Sequence, residues 1–404
     1  MTLPIGDRAA PASRILEITR SSETPRTAIS PVYRASTIFF DDMDQHDATV
    51  ARAMAGERGS SHYGTVGTPT TFALTRALEE IEGAGHDCRA VLLPSGKHAI
   101  VAMLLAFLKA GDHLLMADSV YGPARIFAES ELPRFGITAE FFDPLIDAEG
   151  IEALIRPETR LIYMESPGTH TFDISDVPAI AAVARAKGVL TAVDNGWGSP
   201  MHGKPFDWGA DISLLPLTKF WNGHSDVVMG AIVVRAPIWD RLWRHVQRSG
   251  PSVSGDDAYL VLRGARTMAL RLSQHERTGV DLAQWLERQP GIASVRHPAL
   301  PSHPQHALWQ RDFKGSCGLF SIELDPTGDP ERDALRARAL CEGRRFFRIG
   351  GSWGGVDSMI VPAHFTRTVR HWTGGKLVRL FAGLEDVEDL RQDLAEGLAA
   401  IADL

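Results

Sequence analysis

The sequence predicts an α/β protein with a large domain on a mostly parallel β-sheet and a smaller α+β domain at its C-terminal end. Between residues 63 and 257, short apolar runs alternate with segments of helical periodicity, which is typical of parallel strands covered on both faces. After a break rich in Gly, Pro and Ser at 250–255, a long helical pattern precedes isolated strand patterns and a final helix. In such sheets, ligands bind beyond the carboxyl ends of the strands.

The first 62 residues predict an arm rather than a domain. They are rich in Pro, Ser, Thr and charged residues, with one apolar stretch at 38–40. Such a segment cannot build its own core, so we expect it to lie on another part of the assembly. The predicted organisation is therefore an arm at 1–62, a large domain at 63–257 and a C-terminal domain at 258–404.

The elements of the large domain follow in order. A helix should begin at Thr68-Pro69, because proline favours the first turn, and Gly83 should close it. Strands are predicted at 90–93, 113–117, 137–142, 161–164, 190–193, 212–215 and 227–234, with helices at 97–110 and 177–186. In the C-terminal domain we predict one long helix at 257–288, strands at 319–324 and 377–380, and a final helix at 387–402.

Composition excludes several classes of protein. The chain has 404 residues and a net charge of -8, which argues against a nucleic-acid or anionic-membrane partner. Its three cysteines are odd in number and widely spaced, so no disulfide framework or metal site is predicted. The longest clearly apolar run, 99–108, is too short to cross a bilayer, and residues 1–20 show no signal-peptide core. We expect a soluble, cytoplasmic protein.

Lys219 follows an apolar run at 212–217 that reads as a buried strand. Lysine is rarely buried, and desolvation lowers its pKa, which favours bonding to a cofactor aldehyde. The alternative from this stretch alone is a lysine that extends its ammonium group to water. The nearby His224-Ser225-Asp226 does not indicate a hydrolytic triad, because the nucleophile-elbow pattern is missing.

Other polar residues fall where strands should end. Asp194 could hold a pyridine nitrogen protonated or cap a helix. The helix that begins at Ser95-Gly96-Lys97 could bind a phosphate or simply follow an ordinary turn. Tyr121 could stack on a planar ring or pack in the core. Arg379 could hold a substrate carboxylate or form a structural ion pair.

Many separate motifs occur in one order along nearly the whole chain. They include Tyr63-Gly64, Gly67-Thr68-Pro69-Thr70, Glu165-Ser166-Pro167-Gly168, Thr218-Lys219 with Gly223-His224-Ser225-Asp226, and Ser352-Trp353-Gly354-Gly355. At these positions the sequence resembles the pyridoxal-phosphate (PLP) enzymes of cysteine and methionine metabolism, the transsulfuration family. The Ser-Trp-Gly-Gly stretch is similar to that of its bacterial cystathionine β-lyase branch.

The resemblance implies the aspartate-aminotransferase-like fold, fold type I of PLP enzymes, and a set of residue roles. Lys219 would bond to the cofactor and move the α-proton, Asp194 would pair with the pyridine nitrogen, and Tyr121 would stack on the ring. Gly96, Lys97 and Thr218 would hold the phosphate, and Tyr63 would reach the phosphate of a neighbouring subunit. Arg379, helped by Ser352, Trp353 and Tyr121, would bind the substrate carboxylate. The 1–62 arm would then contribute to a neighbouring subunit of a homodimer or homotetramer.

The implied reaction is α,β-elimination of cystathionine, or of a related cysteine S-conjugate, to a thiol, pyruvate and ammonia. A γ-lyase or γ-synthase of the same family is an alternative, as is a catalytically weak regulatory protein that keeps the cofactor. A nicotinamide-dependent dehydrogenase would fit the alternation, but no convincing glycine fingerprint follows the first strand.

Four positions depart from the family's pattern. Thr65 stands where an arginine is usual, Pro216 where a small residue is usual, Lys97-His98 where relatives are small or apolar, and Gly351 where close β-lyases carry tyrosine. One hypothesis is that Lys97 supplies the positive charge that Thr65 does not. A second is that Gly351 widens the pocket for cysteine S-conjugates bulkier than cystathionine, and the alternative is an ordinary β-lyase.

Overall fold

The computed structural model describes residues 10–21, 26–402 and 404. The parts of the predicted arm at 1–9 and 22–25 lie outside the described residues. Two β-sheets organise the rest of the chain, one of seven strands and one of four. No helix among the described residues is long and apolar enough to cross a membrane.

The seven-stranded sheet carries the first part of the chain. Its strands are β1 Cys88–Leu93, β2 His113–Ala117, β3 Thr138–Phe142, β4 Thr159–Glu165, β5 Leu190–Asp194, β6 Ile212–Leu215 and β7 Gly230–Arg235, in the order β1-β7-β6-β5-β4-β2-β3. Strands β2 to β6 pair in parallel, and β7 runs antiparallel to both of its neighbours. The carboxyl ends of β4, β5 and β6 therefore lie side by side.

Helices connect and cover these strands. They are α1 Pro11–Ile18, α2 Met43–Met54, α3 Pro69–Gly83, α4 Gly96–Phe107, α5 Gly122–Ser130, α6 Ala148–Leu154, α7 Val177–Ala186, α8 Ser199–His202 and α9 Trp239–Ser249. Helix α3 begins where predicted, because Thr68 and Thr71 cap each other's backbone amides and Pro69 occupies the first turn. Within the arm, α1 packs on α3 and buries Ile15 and Ile18 in the core of the large sheet.

The four-stranded sheet is antiparallel and has a core of its own. Its strands are β8 Ile292–Arg296, β9 Leu319–Leu324, β10 Met359–Pro362 and β11 Leu377–Phe381, in the order β10-β11-β9-β8. The helices of this part are α10 Gly255–Ala265, α11 Met268–Leu286, α12 His306–Asp312, α13 Pro330–Cys341 and α14 Val387–Ala400. Residues from α11, α13 and α14 pack with the strands in one apolar cluster. The domain boundaries at 62 and 257 stay predictions.

Two predicted elements were wrong in detail. The strand expected at 227–234 begins only at Gly230, because the backbone N–H and C=O of Met229 both bond to Thr218. The helix expected at 257–288 is two helices, α10 and α11, interrupted at Arg266-Thr267. Near that interruption the backbone of Gly264 lies against Asn222, where a side-chain carbon would come within 1.9 Å of the Asn222 carbonyl oxygen. Several elements were not predicted: strands β8 and β10 and helices α1, α2, α5, α6, α8, α9, α12 and α13.

Candidate active site

Lys219 lies in the turn after β6, partly buried, and meets a segment that is 133 residues away in sequence. Its Nζ donates a hydrogen bond to Oγ of Ser352 at 2.6 Å and lies 5.1 Å from the ring centroid of Trp353. Burial lowers the pKa of the Lys219 amine to about 8, helped by the positive charge of Arg379 and opposed by Asp194. The structure thus brings together Lys219, Ser352 and Trp353.

The glycines after Trp353 explain this close packing. Gly354 has a φ of +86°, and a side-chain carbon there would lie 3.1 Å from the backbone of Lys219. A carbon on Gly355 would lie 2.3 Å from Oγ of Ser225. A larger residue at either position would push the Ser-Trp segment away from the lysine.

Asp194 is the last residue of β5, next to β6 in the sheet. Its Oδ1 accepts a hydrogen bond from the Gly196 amide at 3.0 Å, and its Oδ2 accepts one from the hydroxyl of Tyr163 at 3.5 Å. Burial raises the pKa of Asp194, and the charge of Lys219 opposes that shift. Helix α8 has Gly198 as its N-cap, so the helix-cap alternative for Asp194 is wrong.

Tyr121 immediately precedes α5 and is 43% exposed as a residue, so the alternative of a core residue is wrong. Burial of its phenol, together with the negative charges of Glu165 and Asp194, raises the pKa of Tyr121. Arg379 opposes that rise.

Arg379 lies on β11, where its Nη2 donates to the carbonyl oxygens of Gly350 and Ser352 at 3.2 and 3.1 Å. Among the described residues no carboxylate forms a salt bridge with Arg379, so the alternative of a structural ion pair fails for that part of the chain. Its Nε is buried and has no acceptor within the described part. A buried N–H without a partner is costly, and a substrate carboxylate would satisfy it.

The predicted phosphate site is at the start of α4. Oγ of Ser95 accepts a hydrogen bond from the His98 amide at 3.0 Å. The amides of Gly96 and Lys97 belong to the first turn, whose N–H groups have no intrahelical acceptor and suit an anion. A side-chain carbon on Gly96 would lie 3.1 Å from Cβ of Pro216, which places the helix start beside the residue that follows β6.

The contacts of Thr218 and Tyr63 give less direct support for their predicted phosphate roles. The hydroxyl of Thr218 donates to the carbonyl of Met229 at 3.2 Å and accepts from its amide at 3.0 Å, so a phosphate contact would require the hydroxyl to turn from that carbonyl and donate to the phosphate. Tyr63 forms an isolated β-bridge with Thr37 and is 45% exposed. The phosphate roles of Gly96, Lys97, Thr218 and Tyr63 stay predictions.

A cavity of about 410 Å³ lies elsewhere, between residues 56–73, β1 and α9. Its lining includes Thr65, Arg89 and Trp239 but none of the ten predicted site residues. The described residues contain no group of three or more His, Cys, Asp or Glu side chains placed to bind a metal ion.

Two polar residues near the site were not predicted to have a role. Glu165 ends β4, and its Oε2 accepts a hydrogen bond from the Tyr121 amide at 2.5 Å. Tyr163 is fully buried beside Asp194. Glu165 could have been found by the argument that selected Asp194, because both are carboxylates at the end of a strand of one parallel sheet.

Residues 14–399 match the sequence profile of the Cys/Met metabolism PLP-dependent enzymes. The chain belongs to this family. Its cofactor is therefore pyridoxal 5′-phosphate, and the partly buried carboxylate of Asp194 and the start of α4 fit that group.

Similar relatives do not all carry the same name. A Rhizobium johnstonii protein named "Putative cystathionine beta-lyase" is 44% identical over 92% of this chain and 91% of its own. An L-alanine/L-glutamate racemase of Wolbachia pipientis is 41% identical over 92% of each chain. A cystathionine β-lyase of Bordetella avium is 40% identical over 93% of each chain.

A solved structure confirms the predicted fold class. The crystal structure of metB from Corynebacterium glutamicum matches this chain with a TM-score of 0.87 and 26% sequence identity. The match covers 97% of this chain and 98% of that one. The α/β architecture of a fold type I PLP enzyme, with its mostly parallel sheet, therefore holds for this family member.

Proposed function

We propose that this PLP enzyme is a carbon–sulfur β-lyase that converts L-cystathionine, or a related cysteine S-conjugate, into a thiol, pyruvate and ammonia. The thiol from cystathionine is homocysteine. The observation that supports this most is the contact of Lys219 with Ser352 and Trp353, because the Ser-Trp-Gly-Gly segment is the one that resembles the β-lyase branch. Two of the three relatives named above also carry a β-lyase name.

The residues have distinct proposed roles. When bound, PLP withdraws electrons from the α-carbon of an amino acid. Lys219 would bind the cofactor and remove the α-proton, because a pKa of about 8 leaves roughly a tenth of the amine neutral at pH 7. The Ser352 hydroxyl would orient Nζ of Lys219. Asp194 would carry the negative charge opposite the pyridine nitrogen, with Tyr121 against the ring.

Arg379 would select amino-acid substrates through its buried Nε. The two carbonyl oxygens that accept from Nη2 fix the guanidinium plane, so that Nε keeps its direction. A carboxylate bound there would place the substrate's α-carbon toward Lys219. Ser352 would complete this subsite because it accepts hydrogen bonds from both Arg379 and Lys219, and Trp353 would complete it with its ring 5.1 Å from Nζ of Lys219.

Gly351 supports a broader substrate range. A side-chain carbon built on Gly351 would meet no atom within 4 Å, so there is space next to Ser352. We expect cysteine S-conjugates bulkier than cystathionine to be turned over with a higher kcat/KM than cystathionine. Equal or lower values would indicate an ordinary cystathionine β-lyase.

We also infer a homodimer or homotetramer in the cytoplasm, with the arm against a neighbouring subunit. Phe39 and Met43, in the arm, are 91% and 67% exposed, and Tyr63, which follows the arm, is 45% exposed. Exposed apolar side chains of this kind are typical of an interface. Sedimentation velocity of the purified protein tests the oligomeric state.

Amino-acid racemisation is a second candidate. The name of the Wolbachia relative supports it, and the phenol of Tyr121 would be the second group that moves a proton. Racemisation needs an acid and a base at the same α-carbon, and Lys219 with Tyr121 would supply them.

One set of assays tests these proposals. The purified, PLP-loaded protein is first incubated with L-cystathionine, and the pyruvate and 2-oxobutanoate formed are measured. In a separate reaction it is incubated with L-alanine, and the D-alanine formed is measured. Pyruvate as the main product supports the β-lyase, and 2-oxobutanoate indicates γ-elimination instead. D-alanine without pyruvate favours the racemase, and no product from any substrate favours the regulatory alternative.

A further inference from the structure

Glu165 holds a position equivalent to that of Asp194 on the neighbouring strand. The two residues are paired in the parallel register of β4 and β5. Neighbouring strands are about 4.8 Å apart, and residues paired in this way point to the same face of a sheet. Both carboxyl groups therefore face the site from the same edge.

Both oxygens of Glu165 receive hydrogen bonds from residues of the site. Its Oε2 accepts from the Tyr121 amide at 2.5 Å, and its Oε1 accepts from the hydroxyl of Thr169. The carbonyl of Tyr121 accepts from the amides of Ala124 and Arg125 at the start of α5, and the Tyr121 amide is left to the Glu165 carboxylate. Glu165 is thus the side chain that locates the backbone from which the Tyr121 ring extends.

The turn that follows Glu165 is held from two directions. The amide of Thr169 donates to the carbonyl of Ser119 at 2.8 Å, two residues before Tyr121. The carbonyl of Thr169 accepts from Nη2 of Arg367 at 3.1 Å. Arg367, in the C-terminal part of the chain, also donates to the carbonyl of Asp118 at 2.6 Å. Thr169 is therefore well fixed when its hydroxyl bonds to Glu165.

We propose that Glu165 is a positioning residue, which sets the Tyr121 ring against the cofactor through the Tyr121 amide and is itself held by Thr169. The proposal rests on the ring-stacking role of Tyr121 and not on the identity of the sulfur substrate. Burial and the neighbouring charge of Asp194 both raise the pKa of Glu165. An uncharged carboxyl group can still accept from the Tyr121 amide, so Gln is the conservative replacement.

The first test is the dissociation constant of PLP, measured by titrating the cofactor-free protein and following the visible absorbance and circular dichroism. E165L removes both acceptors at similar volume, and we expect it to weaken PLP binding about 10-fold. E165Q should recover most of that loss, because its amide oxygen can still accept from Tyr121. An E165L protein that is folded and binds PLP as tightly as the original overturns the proposal.

A matched pair of threonine variants controls for general disturbance of the turn. T169V removes the hydroxyl that bonds to Glu165, and T171V removes a hydroxyl that accepts a hydrogen bond from Arg367. We expect T169V to weaken PLP binding about threefold and T171V to leave it unchanged. Equal effects of the two substitutions count against a specific role of Glu165. This pair also provides the test if E165L does not fold.

A double-mutant cycle decides whether Glu165 acts through Tyr121. In a Tyr121→Ala background, E165L should weaken PLP binding less than about twofold further, because the ring it positions is gone. A full 10-fold additional loss would show that Glu165 acts independently, and the proposal would be wrong. Binding of PLP does not depend on which substrate reacts, so a failed β-lyase assay leaves this test intact.

Discussion

Two lysines of the large-sheet region have lowered amine pKa values, but their surroundings differ. Lys204 is buried, donates to the carbonyl of Ile81 at 2.6 Å, and has Glu82 as its main opposite charge. Glu82 in turn accepts from Nδ2 of Asn195 at 2.9 Å and from the hydroxyl of Ser213. We call Glu82, Asn195, Lys204 and Ser213 the Glu82 network.

Lys219 has a hydroxyl partner and a cationic neighbour instead. Its Nζ bonds to Ser352, and Arg379 lowers its pKa while Asp194 opposes this. Burial acts on both lysines in the same direction. The comparison teaches that burial alone does not make a lysine reactive, because an opposite charge and a carbonyl partner stabilise the ammonium form. A neutral hydroxyl and a nearby cation leave the amine ready to lose its proton.

The largest expected effect separates the two lysines. Lys219→Met should lower kcat/KM for β-elimination at least about 1,000-fold, because both the cofactor bond and the base are removed. Lys204→Met should retain turnover within about threefold per folded molecule. Pyruvate release and the absorbance of bound cofactor measure both. A Lys204→Met protein that folds but has lost the cofactor would contradict the proposed difference in role between Lys204 and Lys219.

Arg379→Gln tests the cation beside Lys219. We expect KM to rise about 10- to 100-fold, because a charge-assisted hydrogen bond to the substrate carboxylate is lost. The pKa of Lys219 should rise as well, since the positive charge that lowers it is gone. Steady-state kinetics with an amino acid and with its decarboxylated analogue separate these effects: the analogue should show the same KM in both proteins.

The Glu82 network should matter for stability. Glu82→Leu leaves Lys204 without its opposite charge, and we expect a loss of about 3 kcal/mol in the free energy of unfolding. The double variant Glu82→Leu/Lys204→Met should recover part of this loss, because neither charge remains buried alone. Urea unfolding of the cofactor-free proteins measures these differences. Strictly additive losses would show that the two residues do not interact.

The pH dependence of stability sharpens the contrast. Folding lowers the pKa of Lys219 from 10.5 to about 8, so the unfolded state binds more protons between these values and stability rises with pH across that interval. Below pH 8 the penalty, up to about 3 kcal/mol, is fully present. Cofactor-free Lys219→Met should therefore melt a few degrees higher than the original protein at pH 7, and this advantage should vanish near pH 10.5. An advantage independent of pH would contradict the lowered pKa.

Lys97→Met has the smallest expected effect. If the side chain of Lys97 adds positive charge at the phosphate end of α4, PLP binding should weaken about two- to fivefold, as for an exposed ion pair. Lys109, exposed just beyond the other end of the same helix, gives the matched control Lys109→Met, which should bind PLP normally. Unchanged PLP binding in Lys97→Met would show that Lys97 does not replace the positive charge that is missing at Thr65.

Much of the large sheet was predictable from local pattern. Strands β2 and β6 and helix α7 have the predicted bounds, because apolar runs and helical periodicity depend on residues within about ten positions of one another. The C-terminal part was predicted less completely. Strand β8 alternates weakly, and β10 is only four residues long and begins directly after a polar loop, so neither gives a strong local signal.

The sequence by itself determined the family and the motif at 352–355 and predicted Lys219 as the cofactor-binding lysine, because each rests on short stretches of consecutive residues and their order along the chain. Only the tertiary structure decided that Ser352 bonds to Lys219, that Arg379 keeps a free Nε, and that Glu165 holds the Tyr121 amide. These contacts join residues up to 133 positions apart. Their formation depends on how the two sheets and their loops pack, and no local pattern encodes that arrangement.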